Sequence, residues 1–326
     1  MRKSIGVIFN PRARINKKKV PNAESGFREI FGDKALVNAT ENKAEIDQVI
    51  RRFHGEGVKF LLISGGDGTI CNVLTSYLNL FGTDDMPVIV PLMGGTINMI
   101  GTDSGLRRNQ FSVCKKLNTL LEKDEPVSVT ERGMLKVNDP ESDRPIYGFS
   151  WIDGLLYNFL LDYYDKGAGV QVASMMALKL ILTSLSNTED SVFREIISKV
   201  WIDSEKVPHE SHVFIIASCL RKFVFGFDIY DEKSVPGRSF NVLYLRSPFL
   251  KNSRHKIPLG LYKGIRSDGT GDFINSTAAE LVVDENRGYI IDGEIFRREK
   301  PTRVSIKPGP ALRIFTFKGE KALKVA

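Results

Sequence analysis

The stretch "KFLLISGGDGTICNVL", residues 59–74, places three glycines and an acid between two apolar segments. Residues 59–63 form an apolar run that has the length of a buried strand. In residues 70–81, by contrast, the apolar side chains recur at the spacing of one helix face. The stretch therefore predicts a strand, a tight loop and a helix in direct succession.

The glycines of this loop are Gly65, Gly66 and Gly68. Glycine adopts positive φ without strain and lets another group approach the backbone closely. A plain turn from a strand into a helix needs one glycine or two, so a third one indicates a further demand on the loop. Because the first amides of a helix attract negative charge, the loop is predicted to hold an anion.

Similar segments alternate through the first third of the chain. The strand patterns are "SIGVIFN" (4–10), "KALVNA" (34–39) and "MPVIVPL" (86–92), and the helix patterns are residues 42–57 and "FSVCKKLNTLLEK" (111–123). Asn42 and Glu45 are typical of a helix start, and Gly55 and Gly57 of a helix end. Because alternating strands and helices predict a parallel sheet, residues 1–125 are interpreted as one α/β domain.

After residue 125 the pattern changes to short strands separated by turn residues. The strand candidates are "GMLKVND" (133–139), "KVWID" (199–203), "HVFIIASC" (212–219), "SFNVLYL" (239–245), "ELVVDEN" (280–286), "GYIIDGE" (288–294), "RVSIKPG" (303–309) and "ALRIFTF" (311–317). Residues 170–187 are the exception, since they predict a helix with a broad apolar surface. Residues 126–326 are therefore expected to form a β-sandwich-like domain.

The composition is typical of a globular protein, with 42% hydrophobic and 26% charged residues. No apolar run approaches the ~18–20 residues that span a bilayer, and the N-terminus lacks the core of a signal peptide, so we expect a cytoplasmic protein. The three cysteines form no C-x-x-C pair and are expected to be reduced and buried. A net charge of +7 favours an anionic partner, but no nucleic-acid-binding motif occurs, and nucleic acid is not expected.

Three loops follow predicted strands of the first domain: "NPRAR" (10–14), "GGDGT" (65–69) and "GGTIN" (94–98). Because the carboxyl ends of parallel strands meet at one edge of a sheet, we expect these loops to converge. Their amides, hydroxyls and amide side chains suit a polyphosphate. Neither G-x-x-x-x-G-K-[ST] nor G-x-G-x-x-G after a strand occurs, which disfavours a Walker loop and a dinucleotide-dependent dehydrogenase.

The motifs "NP", "GGDGT" and "P-x-x-G-G-T-x-N", followed by a late "DGE", occur in this order. Over residues 5–315 the sequence resembles the diacylglycerol kinase catalytic family, which includes bacterial lipid kinases and sphingosine kinases. "GGDGT" alone is shared with NAD kinases and, more loosely, with phosphofructokinases. The third loop and the late "IIDGE" are the features that favour a lipid kinase.

The resemblance implies a nucleotide domain, a β-rich substrate domain, an active site between them, and transfer of the ATP γ-phosphate to a lipid hydroxyl with Mg²⁺. It implies that the nucleotide is bound by Asn10, Gly65, Gly66, Gly68, Thr69, Gly94, Gly95, Thr96 and Asn98. It also implies three catalytic acids. Asp67 would place the metal and the phosphates, Asp292 would be the general base toward the lipid hydroxyl, and Glu294 would lie near metal or nucleotide.

The sequence departs from the usual family pattern at Arg14, Asn72 and Ile97, where Gly, Glu and a small residue are frequent. Two alternatives therefore stay open: a kinase for NAD or a sugar from the same superfamily, and a catalytically weak nucleotide-binding regulator. The expected partner is a lipid at an anionic membrane surface, reached by peripheral association. A homodimer is also left open.

Overall fold

The structure is a computed structural model of the chain. It describes residues 4–13, 15–16, 23–95, 98–106, 109–155, 157–158, 161, 195–222, 228–246, 266–267, 269–319 and 321–323. The chain divides into two compact units. The first comprises Met1–Arg132 with Pro310–Ala326, and the second comprises Gly133–Gly309.

The first unit is an α/β structure, as the sequence predicts. Its strands are β1 (Ile5–Phe9), β2 (Ala35–Ala39), β3 (Phe60–Gly65) and β4 (Val88–Met93), and its helices are α1 (Ala23–Phe31), α2 (Lys43–Gly55), α3 (Asp67–Phe81), α4 (Met99–Asp103) and α5 (Gln110–Glu122). The strands lie in the order β2-β1-β3-β4 and all these pairs are parallel. The carboxyl ends of β1, β3 and β4 therefore share one edge of the sheet.

Local signals set the helix boundaries in this unit. The Asn42 side chain accepts a hydrogen bond from the Glu45 amide at the start of α2, which ends at Gly55, so the predicted start and end of this helix are confirmed. Asn109 caps α5 in the same way by accepting from the Ser112 amide. Each cap satisfies an amide that has no partner within its own helix.

Apolar side chains from the strands and from two helices form the core of the first unit. The cluster joins β1, β2, β3 and β4 to α1 and α5, with Phe27, Phe31 and Phe60 among the most deeply buried side chains. Phe315 belongs to the same cluster, and Phe317 and Leu323 pack against it. The core is therefore completed by residues that follow the second unit in the chain.

The division of the chain differs from the predicted boundary between residues 125 and 126. The long strand β16 (Glu294–Phe315) begins in the second unit, and its last residues enter the first, where Ile314 pairs with Ile89 in parallel register. Strand β17 (Lys321–Leu323) then pairs with the start of β5 (Val127–Asn138). These residues belong to the first unit because they pair with its strands and pack in its core.

The second unit is rich in strands, as predicted. They are β6 (Ile146–Gly148), β7 (Ser150–Gly154), β8 (Ile196–Ile197), β9 (Lys199–Ile202), β10 (Glu205–Lys206), β11 (Ser211–His212), β12 (Phe214–Ser218), β13 (Phe240–Leu245), β14 (Phe273–Ala278) and β15 (Leu281–Ile291), with most of β5 and β16. Neighbours in the series β14-β13-β12-β7-β15-β16 pair antiparallel.

Two predicted pairs of strands are single strands in the structure. Residues 280–286 and 288–291 belong to one irregular strand, β15, whose register with β16 shifts around Asn286. Residues 303–309 and 311–315 likewise belong to β16. The predicted helix at 170–187 lies outside the described residues. In the part of the chain that is described, no helix has the length and apolar character to cross a membrane.

Candidate active site

The loops after β1, β3 and β4 come together, as expected from the parallel sheet. The Asn10 amide donates to the Ser64 carbonyl at 2.9 Å, and the Gly94 amide donates to the Gly65 carbonyl at 2.9 Å. The Ile15 amide donates to the Gly94 carbonyl at 3.3 Å and so closes the set. These bonds join the three motifs into one structure through their backbones.

The glycines of the second and third loops allow the backbones of these two loops to approach each other closely. A Cβ atom on Gly95 would lie 2.6 Å from the Gly66 Cα atom, and one on Gly94 would lie 3.0 Å from the Gly65 nitrogen. No glycine that the structure describes in these two loops has positive φ, and Gly66 has φ −83°. The sequence analysis allowed positive φ here, and the structure shows that backbone packing is the operative demand.

Helix α3 begins directly at the glycine loop. Gly66 is its N-cap and offers no side chain to the first amides, while Asp67, Gly68 and Thr69 form the first turn. The first amides of a helix have no partner within that helix and carry partial positive charge. The Thr69 hydroxyl oxygen accepts a hydrogen bond from the Asn10 side-chain amide at 3.4 Å. The helix start and the first loop thus present donors at the same edge of the sheet.

The carboxylate of Asp67 is turned toward helix α4. Its Oδ2 atom accepts from the Met99 amide at 2.9 Å, and its Oδ1 atom accepts from the Ile100 amide at 3.2 Å. Burial raises the pKa of Asp67 from 3.8 to about 6, and the amide hydrogen bonds offset only part of that rise. Asp67 is therefore a buried acid that caps a second helix, and its predicted metal role stays a prediction.

Asn98 holds the third loop in shape. It adopts the left-handed conformation with φ 53° and ψ 50°, and its side chain pairs with the Gly95 backbone in both directions. Gly95 donates to Oδ1 at 2.8 Å, and Nδ2 donates to the Gly95 carbonyl at 3.0 Å. Gly95 and Asn98, which were both predicted to bind nucleotide, thus belong to one closed turn. Their direct contact with nucleotide stays a prediction. Thr96 and Ile97 lie outside the described residues, as does Arg14.

A buried polar cluster beneath these loops was missed by the sequence analysis. The Ser64 hydroxyl donates to the Gln110 side chain at 2.6 Å, and the Asn16 side chain donates to the Asn10 carbonyl at 2.7 Å and to the Ser64 hydroxyl at 3.3 Å. Gln110 in turn donates to Asn16 at 3.2 Å. A signal was available, since Ser64 is a polar residue within an apolar strand pattern.

The late "DGE" motif is the turn of a hairpin. Asp292 and Gly293 join β15 to β16, with Ile291 opposite Glu294. Both turn residues have positive φ, 47° and 87°, as in a type I′ turn, for which Asp-Gly is a strong sequence signal. The predicted turn is present, but Asp292 is only 1% exposed, whereas Glu294 is exposed.

Three donors surround the carboxylate of Asp292 in the second unit. Oδ1 accepts from the Ser150 amide at 2.9 Å and from the Ser150 hydroxyl at 2.8 Å, and Oδ2 accepts from the Phe149 amide at 2.8 Å. A Cβ atom on Gly148 would lie 2.9 Å from Oδ2, so a glycine there keeps space beside that oxygen. Burial, and secondarily the charge on Asp292, raises the pKa of the Cys219 thiol.

The H-x-x-H pair of His209 and His212 is divided between different partners. His212 is fully buried, with Nδ1 at 2.9 Å from the Ser198 hydroxyl and Nε2 at 3.3 Å from Asp153, whereas His209 faces Asp272 at 3.4 Å. Within the described ranges, no three His, Cys, Asp or Glu side chains form a group that could hold a metal ion. Each of the three cysteines is a buried thiol outside any disulfide.

Comparison with known proteins identifies the part of the chain that carries the loops. Residues 4–131 match the family model described as the diacylglycerol kinase catalytic domain. This segment is therefore similar to the catalytic domain of that family. It includes all three loops and the whole parallel sheet up to β4, so the recognition made from the motifs is confirmed. No curated protein matches the chain.

Solved structures support the fold over nearly the whole chain. Three proteins from Bacillus anthracis str. Sterne, described as diacylglycerol kinases, two of them provisionally, match 96% of this chain and 97% of their own. Their TM-scores are 0.66, 0.63 and 0.65, at identities of 16%, 14% and 15%. At such identities the likeness shows a shared fold, with an α/β region and a strand-rich region.

Proposed function

We propose that the protein is an ATP-dependent lipid kinase, which transfers the γ-phosphoryl group to a hydroxyl of diacylglycerol or a related lipid. The observation that carries the proposal is the family match over residues 4–131, which includes the three joined loops. The similar solved structures described as diacylglycerol kinases point to the same acceptor class.

The start of helix α3 is the proposed phosphate site. Its first amides would donate to phosphate oxygens, since helix N-termini favour anions. Thr69 would add its hydroxyl hydrogen, because its oxygen already accepts from Asn10. Gly65, Gly66, Gly94 and Gly95 carry no side chain between the two loops and the phosphates. The polyphosphate would therefore lie against backbone, with little rearrangement of the protein.

The donor set fits a loosely held Mg²⁺ ion. Mg²⁺ usually keeps several waters and binds through one or two carboxylates plus the phosphates of its substrate. Asp67 is the acid at the glycine loop, and each of its oxygens retains a lone pair beyond the amide bond described above. When bound, Mg²⁺ would neutralise charge on the transferred phosphoryl group. Glu294, which is exposed, is a second proposed contact for metal or nucleotide.

Asp292 is proposed to orient the acceptor hydroxyl. The Phe149 amide and the amide and hydroxyl of Ser150 hold its carboxylate in one orientation. Oδ2 lies beside Gly148, where a Cβ atom would come within 2.9 Å of it. A hydroxyl that donates there would have its oxygen held for in-line attack, and its proton would pass to the carboxylate.

A lipid kinase must also meet its substrate at a membrane. The net charge of +7 favours an anionic surface, where each basic residue near the bilayer contributes about 1 kcal/mol. We therefore propose peripheral association with anionic lipid. Vesicle co-sedimentation that decreases with added salt would support the proposal, and equal binding to neutral and anionic vesicles at low salt would contradict it.

The test of the main proposal is transfer of label from γ-labelled ATP to a panel of acceptors in mixed micelles. Diacylglycerols and other lipids with free hydroxyls are compared with NAD and with sugars. We expect label in an organic-extractable product only when lipid and Mg²⁺ are present. Label in NAD or a sugar would instead identify a kinase for a soluble acceptor. Nucleotide binding without transfer to any acceptor would favour a regulatory protein.

A further inference from the structure

Helix α4 lacks a cap of its own. It begins after Asn98, and its N-terminus receives no hydrogen bond from the side chain of that residue. The Asn98 amide is already used on the Gly95 backbone, as described above. The first amides of α4 must therefore find an acceptor elsewhere, since buried amides without partners are costly.

The acceptor comes from the other glycine loop. Asp67 precedes Met99 by 32 residues in the chain, and its two oxygens bind the Met99 and Ile100 amides. An acidic side chain at a helix N-terminus is favoured both as a hydrogen-bond acceptor and by the helix dipole. The "GGDGT" loop thus supplies the cap for the helix that follows "GGTIN".

The opposite end of α4 is held as well. Arg132 binds the Asp103 side chain through Nε at 2.5 Å, and its Nη2 atom donates to the Asp103 carbonyl at 3.3 Å. Both side chains are almost fully buried. The five-residue helix is therefore fixed at both ends, and the side chain of Asp67 ties its start to the loop that contains Gly65, Gly66 and Gly68.

We propose that Asp67 is a positioning residue, which holds the two glycine loops at the separation that a nucleoside polyphosphate requires, before any metal is bound. The inference rests on the proposed function, because it assumes that nucleotide binds at these loops. In this proposal Asp67 has a structural role that does not require metal, in addition to its predicted role in metal binding.

The experiment measures nucleotide affinity without metal. ATP is titrated calorimetrically in excess EDTA into wild type, Asp67→Ala and Asp67→Asn. We expect Asp67→Ala to bind at least about 10-fold more weakly, because preorganisation of the two loops is lost. Asp67→Asn keeps one amide acceptor but turns its NH₂ group toward the other amide, so it should lose affinity, although less than Asp67→Ala. Equal affinity of all three proteins in EDTA would overturn the inference.

Asp47→Ala is the matched control. Asp47 lies on α2 and accepts from the Ser76 hydroxyl of α3 at 2.5 Å, so it too joins an acid to a neighbouring helix, but without contacting either loop. Its affinity in EDTA should equal that of wild type. If Asp47→Ala loses as much affinity as Asp67→Ala, the effect is a general loss of stability, and the positioning role is refuted.

Hydrogen exchange separates this inference from the proposed function. In Asp67→Ala, the amides of residues 98–101 should exchange faster, while those of α5 stay protected. Unchanged exchange at residues 98–101 would refute the positioning role of Asp67 even if nucleotide binds. If wild type binds no nucleotide with or without Mg²⁺, the proposed function fails. In that case, faster exchange of residues 98–101 in Asp67→Ala would show that Asp67 holds the two loops together. The part of the inference that concerns nucleotide would be overturned.

Discussion

Asp67 and Asp292 are both buried aspartates next to glycine, and both accept hydrogen bonds from backbone amides. Asp67 accepts from two amides, at the start of a helix more than thirty residues away. Asp292 accepts from two amides and from the Ser150 hydroxyl, at the edge of a neighbouring strand. The two sites thus solve the same physical problem, a carboxylate removed from water, with amides at one site and with amides and a hydroxyl at the other.

Asp67 shows how hydrogen-bond donors and burial compete. The amide hydrogen bonds there do not offset the loss of hydration, so the pKa rises to about 6. Such an acid exchanges its proton near physiological pH, and its charge carries a cost to the fold. At Asp292 the donors include a hydroxyl, that of Ser150, which can rotate toward the charge. We therefore expect Asp67 to control loop geometry and Asp292 to act as a fixed hydroxyl acceptor.

The largest effect is expected from Asp292→Asn. It should lower kcat at least about 100-fold and leave ATP affinity nearly unchanged, because the proton acceptor is lost while the phosphate site is intact. The Phe149 amide and the amide and hydroxyl of Ser150 all donate to Asp292, so the NH₂ group of asparagine must also face one of these donors. The measurement is steady-state kinetics beside calorimetric ATP binding.

Asp203→Asn is the control for that variant. Asp203 also has positive φ, 50°, and accepts from the Ala279 and Glu280 amides at 2.7 and 2.8 Å. It should lose some stability and keep wild-type kcat. If Asp292→Asn abolishes ATP binding while Asp67→Asn retains it, the roles assigned to the two acids are reversed.

The next effect is the pH dependence of stability contributed by Asp67. A carboxyl group with a raised pKa in the folded state stabilises the fold below its unfolded pKa, 3.8, and that contribution is lost as the pH rises through about 6. A rise of this size corresponds to about 3 kcal/mol in full. Asp67→Asn lacks this titration, so its stability relative to wild type should increase from pH 5 to pH 8.

Chemical denaturation at pH 5 and pH 8, followed by circular dichroism in EDTA, measures this difference. Only part of the full effect is expected between these two pH values, since part of the titration lies below pH 5. Both tryptophans, Trp151 and Trp201, belong to the second unit, so their fluorescence should not report the change. A constant difference between variant and wild type would show that Asp67 keeps an ordinary pKa.

A smaller effect on stability is expected when a glycine at either site is replaced by alanine. Gly95→Ala should destabilise by about 2 kcal/mol, because its Cβ atom would meet the Gly66 backbone at 2.6 Å. Gly148→Ala should destabilise by a similar amount, because its Cβ atom would lie 2.3 Å from the buried Ile291 Cγ2 atom and 2.9 Å from the Asp292 Oδ2 atom. Gly66→Ala is the control, because its Cβ atom has ordinary contact at 3.5 Å. Equal melting temperatures for all three variants would contradict this account.

The smallest effect is expected from the third donor at Asp292. Ser150→Ala should destabilise by about 1.5 kcal/mol, because hydrogen bonds to charged groups contribute more than neutral ones. Ser218→Ala is the matched control, since Ser218 lies opposite Ser150 and donates to the Phe149 carbonyl at 3.3 Å. Tryptophan fluorescence during denaturation measures both. A larger loss in Ser218→Ala would show that the hydroxyl contributes little to holding Asp292.

Much of the first unit could be predicted because its signals are local. The "GGDGT" stretch gives the strand, the loop and helix α3, and Asn42 gives the start of α2. The Asp-Gly pair likewise predicts the turn at residue 292. These features depend on neighbouring residues and on the period of the apolar pattern, both of which are present in a single sequence.

The features that could not be predicted depend on contacts between residues that are distant in the sequence. The direction of the Asp67 side chain follows from the cap that α4 lacks, which is not visible near residue 67. The cluster of Asn16, Ser64 and Gln110 likewise joins three separate segments. The return of residues 310–323 to the first unit is another such case, because an apolar strand pattern does not specify which sheet it joins.

The pairing of Ile314 with Ile89 also has a consequence for synthesis on the ribosome. Domains generally fold as they emerge, with the N-terminal one first. Here the sheet next to β4 and the place that Phe315 fills in the core stay open until more than three hundred residues have been translated. The nascent N-terminal segment therefore cannot complete its fold, and it exposes apolar surface while the strands of the second unit are translated. Chaperone demand during translation, and the poor solubility of a fragment that stops at residue 132, should follow from that delay.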